Sequence, residues 1–135
     1  HKSNLIPTFI RHAFSGSAAQ LFGDGTQERD FIYVGDLVEG ICRVLERESR
    51  GIIQLATGQR TSAKELVQLI GEVLPGDKSL NFEFRASRKG EVYKTWCDNT
   101  KSIELLGQYI QTSLETGLKR TIDWYDTHYM PGIDP

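Results

Sequence analysis

Stretches with helical hydrophobic period alternate with short β-rich runs from one end of this chain to the other. Leu5, Phe9, Ile10, Ala13 and Phe14 recur at helical spacing over residues 3–15, with Pro7 in the opening turn and Gly16 as a stop. Gln20–Phe22 reads as a short extended run and leads into the turn Gly23-Asp24-Gly25. Arg29–Val34 is β-rich, and Asp36 then offers an N-cap for a helix to about Glu48 with Leu37, Ile41, Val44 and Leu45 on its apolar face. A strand over Gly51–Leu55 ends in Ala56-Thr57-Gly58.

Ser62-Ala63-Lys64-Glu65 has the pattern of a reciprocal capping box and starts a helix bearing Leu66, Leu69, Ile70 and Val73, which Pro75-Gly76 ends. Leu80–Phe84 alternates apolar and polar residues like a half-buried strand. Residues 85–97 read as irregular. A short helix opens at Asn99 or Thr100 and closes at Gly107, and a second capping box at Thr112–Glu115 opens a final helix. This pattern predicts an α/β fold: a small mixed sheet of about four short strands with four to five helices. No repeat or Pro/Ser-rich linker divides the 135 residues, so one domain over 1–135 is expected.

Charge narrows the function classes. Sixteen basic and eighteen acidic side chains leave a formal charge of −2, which argues against a nucleic-acid partner. No apolar run is long enough for a membrane span, and Cys42 and Cys97 lack the spacing of a zinc site or a disulfide scaffold. Both are read as reduced, buried cysteines of a cytoplasmic protein. His1, His12 and His128 have no metal or triad spacing, and Trp96 and Trp124 are expected to anchor the core. No metal ligand and no catalytic residue is expected.

The candidate chemistry lies in two places. Gly-Asp-Gly matches neither the dinucleotide nor the P-loop spacing and reads as a plain tight turn. Arg29, at the start of a strand, could present a two-pronged donor to a diphosphate, or could pair with Glu28 or Asp30 at the surface. Arg85, Arg88, Lys89 and Glu91 cluster around Gly90, where an acid beside arginines could accept from sugar hydroxyls or simply be solvated. Phe22 could cover a base or belong to the core.

Taken in order, NLIPTFI, FGDG-x-x-x-RDFIYVGDL, Ala56-Thr57-Gly58, TSAKELVQLI, SRKGE, CDNTKSIELLG and SLETGLKRTIDWY carry a resemblance over about residues 4–125. The chain resembles the C-terminal, substrate-binding portion of the NAD-dependent sugar-nucleotide epimerases and dehydratases. These are extended short-chain dehydrogenases/reductases, whose best-known member is UDP-glucose 4-epimerase.

The resemblance implies the fold of that substrate domain and a UDP- or dTDP-sugar ligand. It implies that Asn4, Leu5 and Arg29 meet the diphosphate region, that Gln20 and Phe22 line the base pocket, that Arg88 is a second diphosphate arginine, and that Glu91 accepts from the ribose. The family's glycine-rich fingerprint and its Tyr-x-x-x-Lys pair have no match in the 135 residues. The expectation is therefore a truncated chain whose NAD-binding Rossmann half is absent, which holds no cofactor, is inactive alone and binds a nucleotide sugar weakly. An alternative is a non-catalytic structural module that self-associates as a homo-oligomer, through apolar surface on the first helix and around Phe31 and Tyr33.

Overall fold

A computed structural model of the chain describes residues 4–87, 89–90 and 92–128. In chain order the elements are α1 (Leu5–Ser15), β1 (Ala19–Phe22), β2 (Glu28–Arg29), α2 (Val34–Glu46), β3 (Thr61–Ser62), α3 (Ala63–Val73), β4 (Phe82–Arg85), β5 (Lys94–Thr95), α4 (Thr100–Leu106) and α5 (Leu114–His128). The fold is thus α/β, with five helices among the described residues and, in place of one small mixed sheet, a two-stranded parallel sheet and a three-stranded mixed one. β1 pairs in parallel with β4, bringing Gln20 opposite Glu83 and Phe22 opposite Arg85. β2 lies between β3, antiparallel, and β5, parallel.

The core forms where α1, α3 and α5 close over β1. Phe9, Ile10, Ala19, Leu21, Ala63, Leu66, Val67, Ile70, Leu118 and Ile122 are buried together, and removing that apolar surface from water is the main favourable term. The predicted periods of α1 and α3 supply most of these side chains. Gly16 ends α1 in the left-handed region at φ 68°, with its N–H on the His12 carbonyl. Ser62 caps α3 as its sequence requires. Its hydroxyl accepts from the Glu65 N–H at 3.2 Å, while the Glu65 carboxylate accepts from the Ser62 N–H at 2.8 Å.

A smaller buried group surrounds Tyr109, which is fully buried. The Ala56 N–H donates to its hydroxyl at 3.1 Å, and that hydroxyl donates to the Ala56 carbonyl at 3.2 Å. α2 can approach this group because Gly40 has no side chain; a Cβ there would sit 3.0–3.1 Å from Leu55 and Tyr109.

Several expected elements take another form. The strand over Arg29–Val34 shrinks to Glu28–Arg29, because no described strand pairs with 30–33 and the chain turns directly into α2. Residues 51–55 form no strand for the same reason: a β-rich run becomes a strand only with a neighbour. Asp36 does not cap α2. It lies inside the first turn, buried, and its carboxylate accepts from the Thr112 N–H at 2.9 Å and the Thr112 hydroxyl at 3.0 Å.

That tie removes Thr112 from its expected capping box. Ser113 caps α5 instead, accepting from the Thr116 N–H at 3.2 Å, and Glu115 pairs with Lys119. β4 is exposed along its length rather than half-buried.

Burial corrects the rest. Trp96 and Trp124 are 48% and 56% exposed: the first stacks under Arg60 and the second on His128, so neither anchors the core. Cys42 is exposed and Cys97 half-buried. Ile41 and Leu45 of α2 face outward with Val34 and Val38, so the helix's apolar period marks a stripe that the described residues leave uncovered. The first helix, by contrast, seats its apolar side in the core.

The Asp36–Thr112 tie should be a principal hold between α2 and the segment before α5. D36A leaves two donors unpaired and is expected to cost about 2 kcal/mol, with D36N costing less, in urea-unfolding measurements. The capping box predicts a pH signature as well. Hydrogen bonds from the Ser62 N–H and hydroxyl lower the Glu65 pKa below its ordinary 4.5. A lowered folded pKa contributes stability above the unfolded value and loses it as pH falls through the folded one. The stability gap between the unaltered protein and E65Q should therefore close on acidification below about pH 4.5.

Candidate functional site

β1, the turn after it and β2 bring the candidate residues to one place. Five of the seven line a single cavity of about 760 Å³: Asn4 and Leu5 from the start of α1, Gln20 and Phe22 from β1, and Arg29 from β2. That volume is in the range of small-ligand sites. Arg88 and Glu91 lie outside the described residues.

The Gly-Asp-Gly turn has a structural explanation. Gly23 and Gly25 both adopt positive φ, and a Cβ on Gly25 would lie 3.2 Å from Lys64 and 3.3 Å from Leu21. Asp24 accepts from the Thr26 hydroxyl at 2.6 Å and the Thr26 N–H at 3.0 Å, which holds its carboxyl below the usual range. The turn satisfies itself.

It also positions a residue that sequence reasoning missed. Gln27 is buried on the cavity wall, and its side-chain amide donates to the Phe22 carbonyl at 2.7 Å. Its own carbonyl accepts from the Ala63 N–H at 2.9 Å. Gln27 thus ties the end of β1 to the start of α3.

Arg29 is held by backbone, not by acids. Its Nη1 donates to the Glu28 carbonyl at 2.8 Å and the Tyr93 carbonyl at 3.4 Å. Of the two acids that could have paired with it, Glu28 faces Arg60 at 3.3 Å and Lys94 at 3.7 Å. Asp30 accepts from the Thr57 N–H at 3.1 Å, the Thr57 hydroxyl at 2.5 Å and the Gly58 N–H at 2.9 Å. Arg29 therefore keeps its charge uncompensated by any described carboxylate, at the wall of a cavity.

The neighbouring end of α1 adds donors. Asn4 occupies the N-cap position without a side-chain cap bond, and no acid stands in the first turn. The local field and open N–H groups there favour an anion.

Other groups on the wall had no sequence signal of their own. Thr8 and His12 follow Asn4 at intervals of four along α1, and Phe31 closes the cavity beside Asp30. Phe31 is shared with a second cavity of about 490 Å³, lined by uncharged polar side chains including Thr57, Gln59, Asn99 and Gln111. Among the described residues no group of His, Cys, Asp and Glu is placed to hold a metal ion, and no helix is long and apolar enough to cross a membrane.

Comparison with known proteins shows what the chain is similar to. Residues 1–56 match the model of the NAD dependent epimerase/dehydratase family. A UDP-glucuronate 4-epimerase of Thermodesulfobacterium geofontis is 35% identical over 117 residues, 86% of this chain and 36% of the relative. The fold superposes on the crystal structure of a Thermotoga maritima UDP-glucose 4-epimerase with UDP-glucose at a TM-score of 0.83 and 30% identity. That match covers 96% of this chain and 41% of that one. A Bacillus cereus UDP-glucuronic acid 4-epimerase in complex with UDP-glucuronic acid and NAD matches at a TM-score of 0.83 and 27% identity, covering 96% and 41%. The chain spans about two fifths of the length of these relatives.

These matches correct one group of expectations. From sequence alone the expectation is a truncated C-terminal substrate portion, without a cofactor site, without NAD and inactive alone, or else a non-catalytic module. The family model named for NAD dependence instead matches from residue 1 to residue 56, and structures of epimerases holding NAD match nearly the whole chain. The expectation failed because a glycine fingerprint marks only the pyrophosphate turn of a dinucleotide fold. Its absence from a sequence does not test the other contacts a dinucleotide makes.

Proposed function

We propose that the chain belongs to the NAD-dependent epimerase/dehydratase family and takes part in converting a nucleotide sugar. In this reading the 760 Å³ cavity holds the nucleoside diphosphate of a UDP- or dTDP-sugar. The observation that carries it is Arg29, a cavity-wall guanidinium with no described carboxylate partner, beside the open first turn of α1. A guanidinium gives charge-assisted, geometrically fixed bonds to phosphate oxygens. Asn4 and Leu5 border the same phosphates, Gln20 and Phe22 flank the base, and Arg88 and Glu91 are assigned to the second phosphate contact and the ribose. The wider fold serves as the substrate-binding framework of an extended short-chain dehydrogenase/reductase.

NAD, when bound, supplies the hydride chemistry of this reaction class. Its diphosphate suits the same kind of donor set, so a cavity built on Arg29 and an open helix turn is compatible with either ligand's anionic centre. Self-association belongs to the same reading, supported by the outward stripe Val34, Val38, Ile41 and Leu45; a clean monomer in concentrated sedimentation runs would exclude it.

Calorimetric titration with UDP, UDP-glucose and NAD tests the assignment. UDP is expected to bind, and R29A to weaken it about tenfold to a hundredfold, the range of a lost charge-assisted hydrogen bond. Folded protein that gives no heat with UDP or UDP-glucose would reject the assignment. NAD competing with UDP would place the dinucleotide in this cavity.

A further inference from the structure

Thr8 carries an observation that the functional reading does not absorb. Among the described residues its hydroxyl is the one buried side-chain polar atom with no hydrogen-bond partner. Burying a hydroxyl unpaired costs free energy, so such a group calls for a reason. A partner was within the chain's means, because helical threonines routinely donate to the carbonyl four residues back. Thr121 does so to Gly117 at 2.7 Å, and Thr127 to Asp123 at 2.8 Å. The corresponding acceptor for Thr8 is the Asn4 carbonyl, which takes the Thr8 backbone N–H at 3.1 Å but not its hydroxyl.

The surroundings indicate what the hydroxyl is for. Asn4, Thr8 and His12 fall four residues apart, so they share one face of α1, and all three line the cavity. Phe9, Ile10 and Ala13 of the same helix are buried, which fixes how the helix presents that face. His12 already has a partner, its Nδ1 lying 2.7 Å from the Ser17 hydroxyl. Thr8 is one turn, about 6 Å, beyond the Asn4 cap. It belongs to the helix packed on β1, the strand that carries Gln20 and Phe22, whereas Arg29 comes from the other sheet.

We propose that Thr8 is a specificity-determining residue whose hydroxyl hydrogen-bonds the nucleoside portion of the ligand. This rests on the reading of the cavity as a nucleoside diphosphate site. A ligand's polar edge meets the hydroxyl through a change of the threonine χ1 rotamer, since the atom itself is occluded. Binding then gives the unpaired hydroxyl a partner, so the contact contributes more than it would at an exposed hydroxyl.

Three probes separate the outcomes: UDP, uridine and inorganic pyrophosphate, titrated into the unaltered protein, T8V and T8S. T8V keeps the shape and loses the hydroxyl, so it is expected to bind UDP and uridine about tenfold more weakly and pyrophosphate equally well. T8S should retain most of the affinity. T8V should also be no less stable to heat than the unaltered protein, because it removes a buried group that has no partner; T8A serves if T8V does not fold. Equal UDP affinity in T8V and the unaltered protein overturns the proposal, as does a pyrophosphate loss matching the UDP loss. Absence of UDP binding in the unaltered protein overturns the cavity reading itself, a result distinct from either.

Discussion

The carboxylate of Asp30 decides what its neighbour can do. Three donors from Thr57 and Gly58 occupy it, so it neither folds back on Arg29 nor adds its charge to the cavity as a free acceptor. Had Asp30 paired with Arg29, the pair would have been a surface ion pair of little energetic consequence. Occupied from the 57–58 side, it instead pins that loop against the end of β2. Two backbone carbonyls then hold one nitrogen of Arg29. The guanidinium is oriented without being neutralised by a described carboxylate, which leaves it able to give charge-assisted bonds to an anion.

The same economy operates across the rest of the fold. Polar side chains that look like local caps or surface charges serve as long-range ties. Asp36 reaches Thr112, Tyr109 reaches Ala56, Arg43 donates to the Leu106 and Gln108 carbonyls, and Arg47 to that of Leu105. These bonds hold segments without regular structure, or the last carbonyls of α4 at Leu105 and Leu106, which helix and sheet ladders leave unpaired. The apolar core holds α1, α3 and α5 over β1, and the polar ties help fasten α2, α4 and the segments beside them.

This division explains what could be read in the sequence. The Ser62–Glu65 box and the apolar periods of α1 and α3 depend on residues three and four apart, and they appear where expected. The box at Thr112–Glu115 has the same local pattern and fails, because Asp36, 76 residues away, takes Thr112. The β-rich runs at 29–34 and 51–55 also fail as strands, since pairing is a property of neighbours rather than of the run. Burial of Trp96, Trp124 and Cys42 misled for a related reason: hydrophobic character says what a side chain tolerates, and only packing says what covers it. The site was legible in part. Arg29 could be singled out by chemistry, but its freedom from Glu28 and Asp30 depends on Arg60, Lys94 and Thr57, which no local pattern links to it.

Charge completes the argument about the cavity. With a net charge of −2 the chain offers no broad attraction to an anion. Part of its positive charge is already matched by acids: Arg60 and Lys94 on Glu28, Arg85 on Glu83, Lys78 on Asp126 and Lys119 on Glu115. In the proposed site, recognition of a diphosphate would then come from position. The helix that lines the cavity is positioned by its own core residues, because Phe9 and Ile10 cannot shift without opening the packing against β1 and α3. If the proposed reading holds, a wall with one guanidinium free of any described carboxylate and one unpaired buried hydroxyl would select by geometry, through the orientation of the nucleotide more than through its charge.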